Sequence, residues 1–146
     1  MPNGLVVPAK PFLIFALAWC LAAPSVAQAA TVSLTAYLSG ASAIPPSQST
    51  AFGEADFTYD TKTRELTYLV TYEGIPSAQV EIHGPADAAE NAPVVIPFPT
   101  PQSPLNGILV LSAGQGDLLL SGKLYVEVHA RSFGGGAIRG QIEKQP

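Results

Sequence analysis

The segment AFGEADFTYDTKTRELTYLVTY, residues 51–72, decides the fold class. Small, apolar or aromatic residues alternate with mostly polar ones through residues 51–59 and again through residues 65–72. A period of two is typical of a half-buried β-strand. Between the two runs stands Asp60, a residue favoured at the first position of a β-turn. The segment therefore predicts a β-hairpin.

Short alternating or apolar runs, separated by Gly, Pro and Ser, recur on both sides of this hairpin. They predict further strands at residues 31–38, 78–83, 94–96, 106–112, 123–129 and 137–143. Residues 113–121 contain three consecutive leucines and predict a single helical turn. Strands with one apolar face each must bury it against a second layer. We therefore predict an all-β fold, an antiparallel β-sandwich of about eight short strands with Greek-key-like connections.

The first thirty residues have the layout of an export signal. Lys10 precedes an apolar run over residues 11–23, and a small-residue site with Ala27 and Ala29 follows. This order is typical of a secretory signal and its cleavage site. We expect residues 1–30 to be removed as a signal peptide. A secreted or periplasmic β-sandwich domain over residues 31–146 would remain.

Two other uses of this leader are less consistent with its sequence. The apolar run has roughly a dozen residues, whereas a membrane-spanning helix needs about 20. Cys20 would have to be lipidated after Trp19, where lipoprotein signals have a small residue. We therefore expect no stable membrane span after signal cleavage.

Composition restricts the partners. The full chain has 7 basic and 11 acidic residues, and loss of Lys10 with the leader makes its net charge of −4 more negative. A nucleic-acid partner would require a basic patch, so we expect none. Cys20 is the only cysteine, so the domain after cleavage must be held together by its core alone.

One short phrase occurs twice and carries both histidines of the chain. Val-Glu-Ile-His ends at His83, and Val-Glu-Val-His ends at His129. Period two places Glu81 on the same strand face as His83, and Glu127 on the same face as His129. If the two strands are antiparallel neighbours with Glu81 opposite His129, His83 lies opposite Glu127. All four side chains then form one patch.

Imidazole and carboxylate groups together can bind a borderline divalent ion such as zinc or copper. Glu81, His83, Glu127 and His129 are therefore candidate metal ligands. The alternative interpretation is that they are solvent-facing residues of half-exposed strands that make weak cross-strand contacts. Arg139 could hold an anionic ligand or pair with Glu127, and we expect the pairing.

No catalytic residue is predicted. The domain after cleavage has no cysteine, and none of its serines stands in a Gly-x-Ser-x-Gly context. Glu81 and Glu127 could act on a glycoside only within a cleft that so small a chain has little room to form.

Several short motifs follow one another along the chain: Leu38–Ala41, Pro45–Pro46, Leu66–Tyr68, Ile82–Ala86, Ala92–Val95, Gly122–His129 and Ala137–Ile142. Their order resembles that of the CHRD domain, the repeated module of chordin that also occurs singly in secreted bacterial proteins. The resemblance covers about residues 31–143. It implies an extracellular all-β domain, and we expect its partner to be an unidentified extracellular ligand or protein.

The chain departs from the family pattern at the candidate site. His83 and His129 match the second histidine of the family's His-x-His-Gly phrase and the histidine of its Asn-x-His phrase. Glu81 stands where histidine is usual, and Glu127 stands where asparagine is usual. The family's acidic residue before Pro-Pro is also missing. Carboxylates would therefore have to replace an imidazole in any metal site of this chain.

Three functions remain open at this point. The first is a non-enzymatic binding module with a metal or small ligand at the His/Glu patch. The second is a small metalloenzyme that uses the same patch. The third is a structural or adhesive extracellular domain without a metal site.

Overall fold

A computed structural model describes Gly4 and residues 30–76, 79–133 and 136–146. Its strands are β1 (Thr31–Ser39), β2 (Phe52–Asp60), β3 (Glu65–Glu73), β4 (Gln79–His83), β5 (Val94–Pro97), β6 (Leu105–Val110), β7 (Tyr125–His129), β8 (Gly136–Gln141) and β9 (Glu143–Lys144). A 3-10 helix spans Gly40–Ser42, and helix α1 spans Ala113–Leu120. Apart from Gly4 and Ala30, the predicted signal peptide lies outside the described residues, as does Ala78 at the predicted start of β4. Within the described ranges, no helix is long and apolar enough to cross a membrane.

All the strands join in one antiparallel sheet. Their order is β5-β4-β7-β8-β1-β2-β3-β6, and β9 also pairs with β1. The sheet has two halves of four strands, which meet where Ser39 of β1 pairs with Arg139 of β8. We call β5-β4-β7-β8 the site half and β1-β2-β3-β6 the hairpin half. The last strand segment changes halves, because β8 pairs with β7 whereas β9 pairs with β1.

The sheet curls, and both halves contribute side chains to one hydrophobic core. Leu34 and Val70 of the hairpin half and Val126 and Ile138 of the site half are all fully buried in that core. The all-β, antiparallel prediction is therefore confirmed. The two layers of the predicted sandwich are the halves of a single curled sheet, and interleaved connections carry the chain between them.

The predicted hairpin is confirmed with strand ends that differ by one residue. β2 and β3 pair from Phe52 opposite Glu73 to Tyr59 opposite Leu66. In the turn, the Asp60 carboxylate accepts hydrogen bonds from the backbone N–H groups of Lys62 and Thr63, at 2.8 and 3.0 Å. These bonds, that of Thr63 first, lower the pKa of Asp60.

The predicted single helical turn is in fact an eight-residue α-helix. Ser112 caps it: the Ser112 side chain accepts from the backbone N–H of Gln115, and the Gln115 side chain accepts from the backbone N–H of Ser112. This reciprocal pair satisfies N–H groups at the start of the helix that have no partner within it. Leu119 anchors the helix in the core, where it is fully buried.

Candidate metal centre

β4 and β7 lie side by side and bring the two Val-Glu-aliphatic-His phrases together. Their register places Glu81 opposite Glu127 and His83 opposite Tyr125. The predicted register, with Glu81 opposite His129, is wrong by two residues. A shift of two residues leaves each side chain on the same face of its strand. The four predicted ligands therefore still share one patch.

Three potential ligand atoms form a nearly equilateral triangle. The Nε2 atoms of His83 and His129 lie 3.4 Å apart. The Oε2 atom of Glu81 lies 3.3 Å from each of them. In a tetrahedral zinc site with bonds of about 2.0–2.1 Å, two ligand atoms are about 3.3 Å apart. The triangle therefore has the size of one face of a zinc tetrahedron.

A fourth group faces the same space. The Oε2 atom of Glu127 lies 3.7 Å from Nε2 of His83 and 3.7 Å from Nε2 of His129. Glu127 is thus about equally placed toward both imidazoles, but farther from them than Glu81. Glu127 is therefore a candidate for a fourth ligand beside the compact group of Glu81, His83 and His129.

The cluster is mostly buried. The side chains of His83 and Glu127 are 8% exposed and that of Glu81 is 11% exposed, whereas that of His129 is 25% exposed. The alternative interpretation, that these are solvent-facing residues, therefore does not hold for His83, Glu127 and Glu81. They are buried by the loop between β4 and β5, which we call the covering loop and which is hydrogen-bonded to this face of the site half. Gln141 donates to its Ala86 carbonyl.

The His83 ring is held in one orientation. Its Nδ1 atom lies 2.9 Å from the backbone carbonyl oxygen of Ala92 in the covering loop. A carbonyl only accepts hydrogen bonds, so Nδ1 carries the proton and Nε2 presents its lone pair to the cluster. A hydrogen bond of this kind to the far ring nitrogen is typical of metal-ligating histidines.

Tyr125 supports the same arrangement. Its hydroxyl accepts from the N–H of Ala92 at 3.0 Å and donates to the carbonyl of Ala92 at 3.2 Å. Its ring stacks on that of His83, with the centroids 5.1 Å apart and the planes 13° apart. Burial, and to a lesser extent the nearby carboxylate of Glu127, raises the pKa of Tyr125. Tyr125 therefore fixes both the His83 ring and the carbonyl that orients it.

Arg139 contributes to the scaffold. It lies directly across from Glu127 in the pairing of β7 and β8 and is 1% exposed. Its guanidinium donates to the carbonyls of Asp87 and Ala88 at 3.1 Å each, and lies 3.8 Å from the centre of the Tyr125 ring. Among the ion pairs of the described residues, none joins Arg139 to Glu127. The expected pairing is not formed there, and an anion-binding role of Arg139 stays a prediction.

Gly136 leaves room for the side chain of Glu127, because it has no side chain of its own. The Glu127 carboxylate occupies the space that a Cβ atom on residue 136 would need. Gly136 stands one residue before the strand predicted at residues 137–143, and it begins β8. Sequence reasoning missed its role and those of Tyr125 and Ala92. The period-two alternation of residues 123–129 puts Tyr125 on the same strand face as Glu127 and His129, and this pattern was the signal that could have identified Tyr125 as part of the site.

The chain was also compared with known proteins. The family model of the CHRD domain matches residues 34–142. The matched range begins within β1, ends just after β8 and includes all four residues of the cluster. Neither the curated proteins nor the solved structures contain a match to the chain.

Proposed function

The chain belongs to the CHRD domain family, and on that basis we propose that it is a non-enzymatic binding module that holds one zinc ion in its His/Glu cluster. The triangle formed by Nε2 of His83, Nε2 of His129 and Oε2 of Glu81 carries this proposal. We also propose that the module acts in the periplasm or outside the cell, because the leader over residues 1–30 has the order of an export signal.

The distances and the types of ligand favour zinc over square-planar copper(II), calcium and magnesium. A square-planar copper(II) site with bonds of about 2.0 Å would have neighbouring ligand atoms about 2.8 Å apart and opposite ones about 4 Å apart. The three distances here are 3.3, 3.3 and 3.4 Å, which suits a tetrahedron. Calcium and magnesium prefer oxygen ligands alone. Two imidazole nitrogens in the set therefore disfavour both.

Charge also supports a divalent cation. Glu81 and Glu127 are both buried, and their cationic partners among the described residues are only His83 and His129, which are charged only when protonated. The buried Arg139, directly across from Glu127, offsets at most one of the two negative charges. With neutral imidazoles a net negative charge therefore remains in the buried patch, which is costly. A zinc ion would neutralise both carboxylates while the imidazoles stay neutral.

With Glu127 as the fourth ligand, the protein itself would fill the coordination shell. Zinc sites with four protein ligands are structural, whereas catalytic sites keep one position open. Such a site would tie β4 to β7 and stabilise the face that the module presents. This is why we propose a binding module rather than an enzyme.

The longer Glu127 distances favour a second candidate, a small zinc enzyme. If Glu127 stays 3.7 Å from both imidazoles, two histidines and Glu81 resemble the His₂Glu ligand set of zinc hydrolases, with one position open. Ester hydrolysis by the zinc-loaded protein, lost in Glu127→Gln, would support that candidate. Zinc binding without any such activity supports the binding module.

Calorimetric titration of tag-free protein with zinc tests the proposal. We expect one zinc per chain, and added stability of about 2.7 kcal/mol at a free zinc concentration of 100 times Kd. His83→Ala and His129→Ala should each remove the binding. Glu65→Gln, which changes an exposed carboxylate of β3, should leave it unchanged. A protein that neither binds zinc nor is stabilised by it would instead fit the structural or adhesive domain.

A further inference from the structure

The hairpin half carries a groove that shares no residue with the His/Glu cluster. Two cavities of about 500 and 570 Å³ adjoin on it, and both are lined by Tyr72, Glu73 and Ser103. The first also contains Tyr37 and Phe52. Because the cavities share three residues, they form one elongated depression, which we call the aromatic groove.

Two aromatic rings stand exposed at this groove. Tyr37 is 69% exposed and Phe52 is 61% exposed. Large aromatic side chains are normally buried, because their burial contributes strongly to stability. Two such rings together beside a cavity mark an interaction site rather than scattered surface apolar residues.

The strand register places a carboxylate beside each ring. Tyr37 of β1 is directly opposite Glu54 of β2, and Phe52 of β2 is directly opposite Glu73 of β3. The four side chains therefore alternate, ring beside carboxylate, on one sheet face. Directly opposite side chains start about 5 Å apart at their Cβ atoms, so one bound group can touch a ring and a carboxylate together.

These carboxylates have no ion-pair partner in the part of the chain that the structure describes. Within residues 30–76, 79–133 and 136–146, no Lys or Arg lies within ion-pair distance of Glu54 or Glu73. Among the described residues, no basic one lines either cavity. The groove therefore presents aromatic faces and uncompensated negative charge. This is the combination that attracts an ammonium or guanidinium group.

We propose that the aromatic groove binds a basic, extended segment of a partner polypeptide. A Lys or Arg side chain of that segment lies over Tyr37 and Phe52 while its charge contacts Glu54 or Glu73. The length of the groove selects a peptide over a single free amine, because the second cavity continues past Glu73 to Gly74, Ile75 and Pro76. Charge complementarity selects a basic partner.

Fluorescence anisotropy with a labelled peptide tests this proposal on the full chain. The probe is a short peptide in which Arg and Lys alternate with Gly, compared with one in which Gln replaces every basic residue. We expect saturable binding of the basic peptide only, weakened by added salt. Phe52→Ala, and separately Glu54→Gln with Glu73→Gln, should each weaken binding about tenfold.

Matched controls lie on the same outer face of the hairpin half. Ile108→Ala removes an exposed apolar side chain of β6, and Glu65→Gln removes an exposed carboxylate of β3; neither residue lines the groove. Both variants should bind like the parent. The proposal is overturned if the basic peptide does not bind, if the Gln peptide binds equally well, or if the controls lose as much affinity as Phe52→Ala. Binding of a neutral sugar in place of the peptide would also overturn it.

Discussion

The Nε2 atoms of His83 and His129 lie 3.4 Å apart although the two histidines are not cross-strand partners. His83 faces Tyr125 and His129 faces Gln79, so the imidazoles approach each other diagonally over the Glu81–Glu127 pair. The two histidines are offset by four residues along the strands, roughly 13 Å at 3.2–3.4 Å per residue, so their imidazoles reach toward each other from the two sides of that pair. The Glu81–Glu127 pair thus lies between the two imidazoles.

The two carboxylates should contribute unequally. Glu81→Gln is expected to weaken zinc binding by more than about 100-fold, because loss of a direct ligand should exceed the 10–100-fold cost of losing a supporting residue. Glu127→Gln should cost less, because Glu127 Oε2 lies 3.7 Å rather than 3.3 Å from each imidazole. Competitive titration against a zinc chelator measures both. Equal losses, or the reverse order, would contradict this assignment.

In the absence of zinc, Glu81→Gln and Glu127→Gln should each raise the free energy of unfolding above that of the parent protein. Neutral Gln at either position removes half of the buried negative charge at the cluster, so the zinc-free variants should be more stable than the zinc-free parent. Urea unfolding in the presence of a chelator gives that comparison. Destabilisation by both substitutions would show that the carboxylates serve the fold rather than a cation.

Tyr125→Phe should weaken zinc binding while the fold is kept. The ring that stacks on His83 remains, but both hydrogen bonds to Ala92 are lost, so the carbonyl that orients His83 is less fixed. We expect a loss of about tenfold in zinc affinity, at the lower end for a supporting residue. The nitrogen NMR shifts of His83 should also show a mixture of ring tautomers. Tyr37→Phe, at an exposed position, is the control and should leave both readouts unchanged.

Gly136→Ala should affect the cluster more than the fold. The added methyl group would overlap the Glu127 carboxylate and come within 2.6 Å of its Cγ, so the Glu127 side chain would have to leave its place in the cluster. Zinc affinity should fall to about that of Glu127→Gln. Gly114→Ala is the matched control, because nothing lies within 4 Å of its new Cβ and it stands in the first turn of α1. It should raise stability by up to about 1 kcal/mol without changing zinc binding.

Asp60 in the hairpin turn should make the free energy of unfolding depend on pH in the acid range. Hydrogen bonds from the backbone N–H groups of Thr63 and Lys62 lower the pKa of Asp60 in the folded state. The stability from this carboxylate is therefore present above its ordinary pKa of about 4 and is lost as the pH falls through the lower folded pKa. Asp60→Asn should remove that part of the dependence. Urea unfolding of both proteins at several pH values between about 2 and 6 tests it, and parallel curves would be inconsistent with it.

Much of the fold could be read from the alternation of side chains. It predicted the β2–β3 hairpin because each strand buries only one face, so the sequence repeats with period two. The length of α1 was underestimated because the three leucines at residues 118–120 outweighed the pair Ser112 and Gln115. That pair is the capping signal which marks the start of the helix.

The site was predicted less completely, for two physical reasons. Period two fixes the face of Glu81, His83, Glu127 and His129 but is unchanged by a two-residue shift, so the register could not be derived. Burial of the cluster depends on the covering loop, which bonds to Tyr125 and Arg139 from distant parts of the chain. No local pattern reports such contacts.

The most direct measurement is the anomalous difference density at the zinc edge from crystals grown with zinc. The proposed site predicts one peak per chain, about 2.0–2.1 Å from Nε2 of His83, Nε2 of His129 and Oε2 of Glu81. Zinc bound elsewhere on the surface, or no peak while both histidines keep their positions, would contradict the proposal that this CHRD domain is built around a zinc ion.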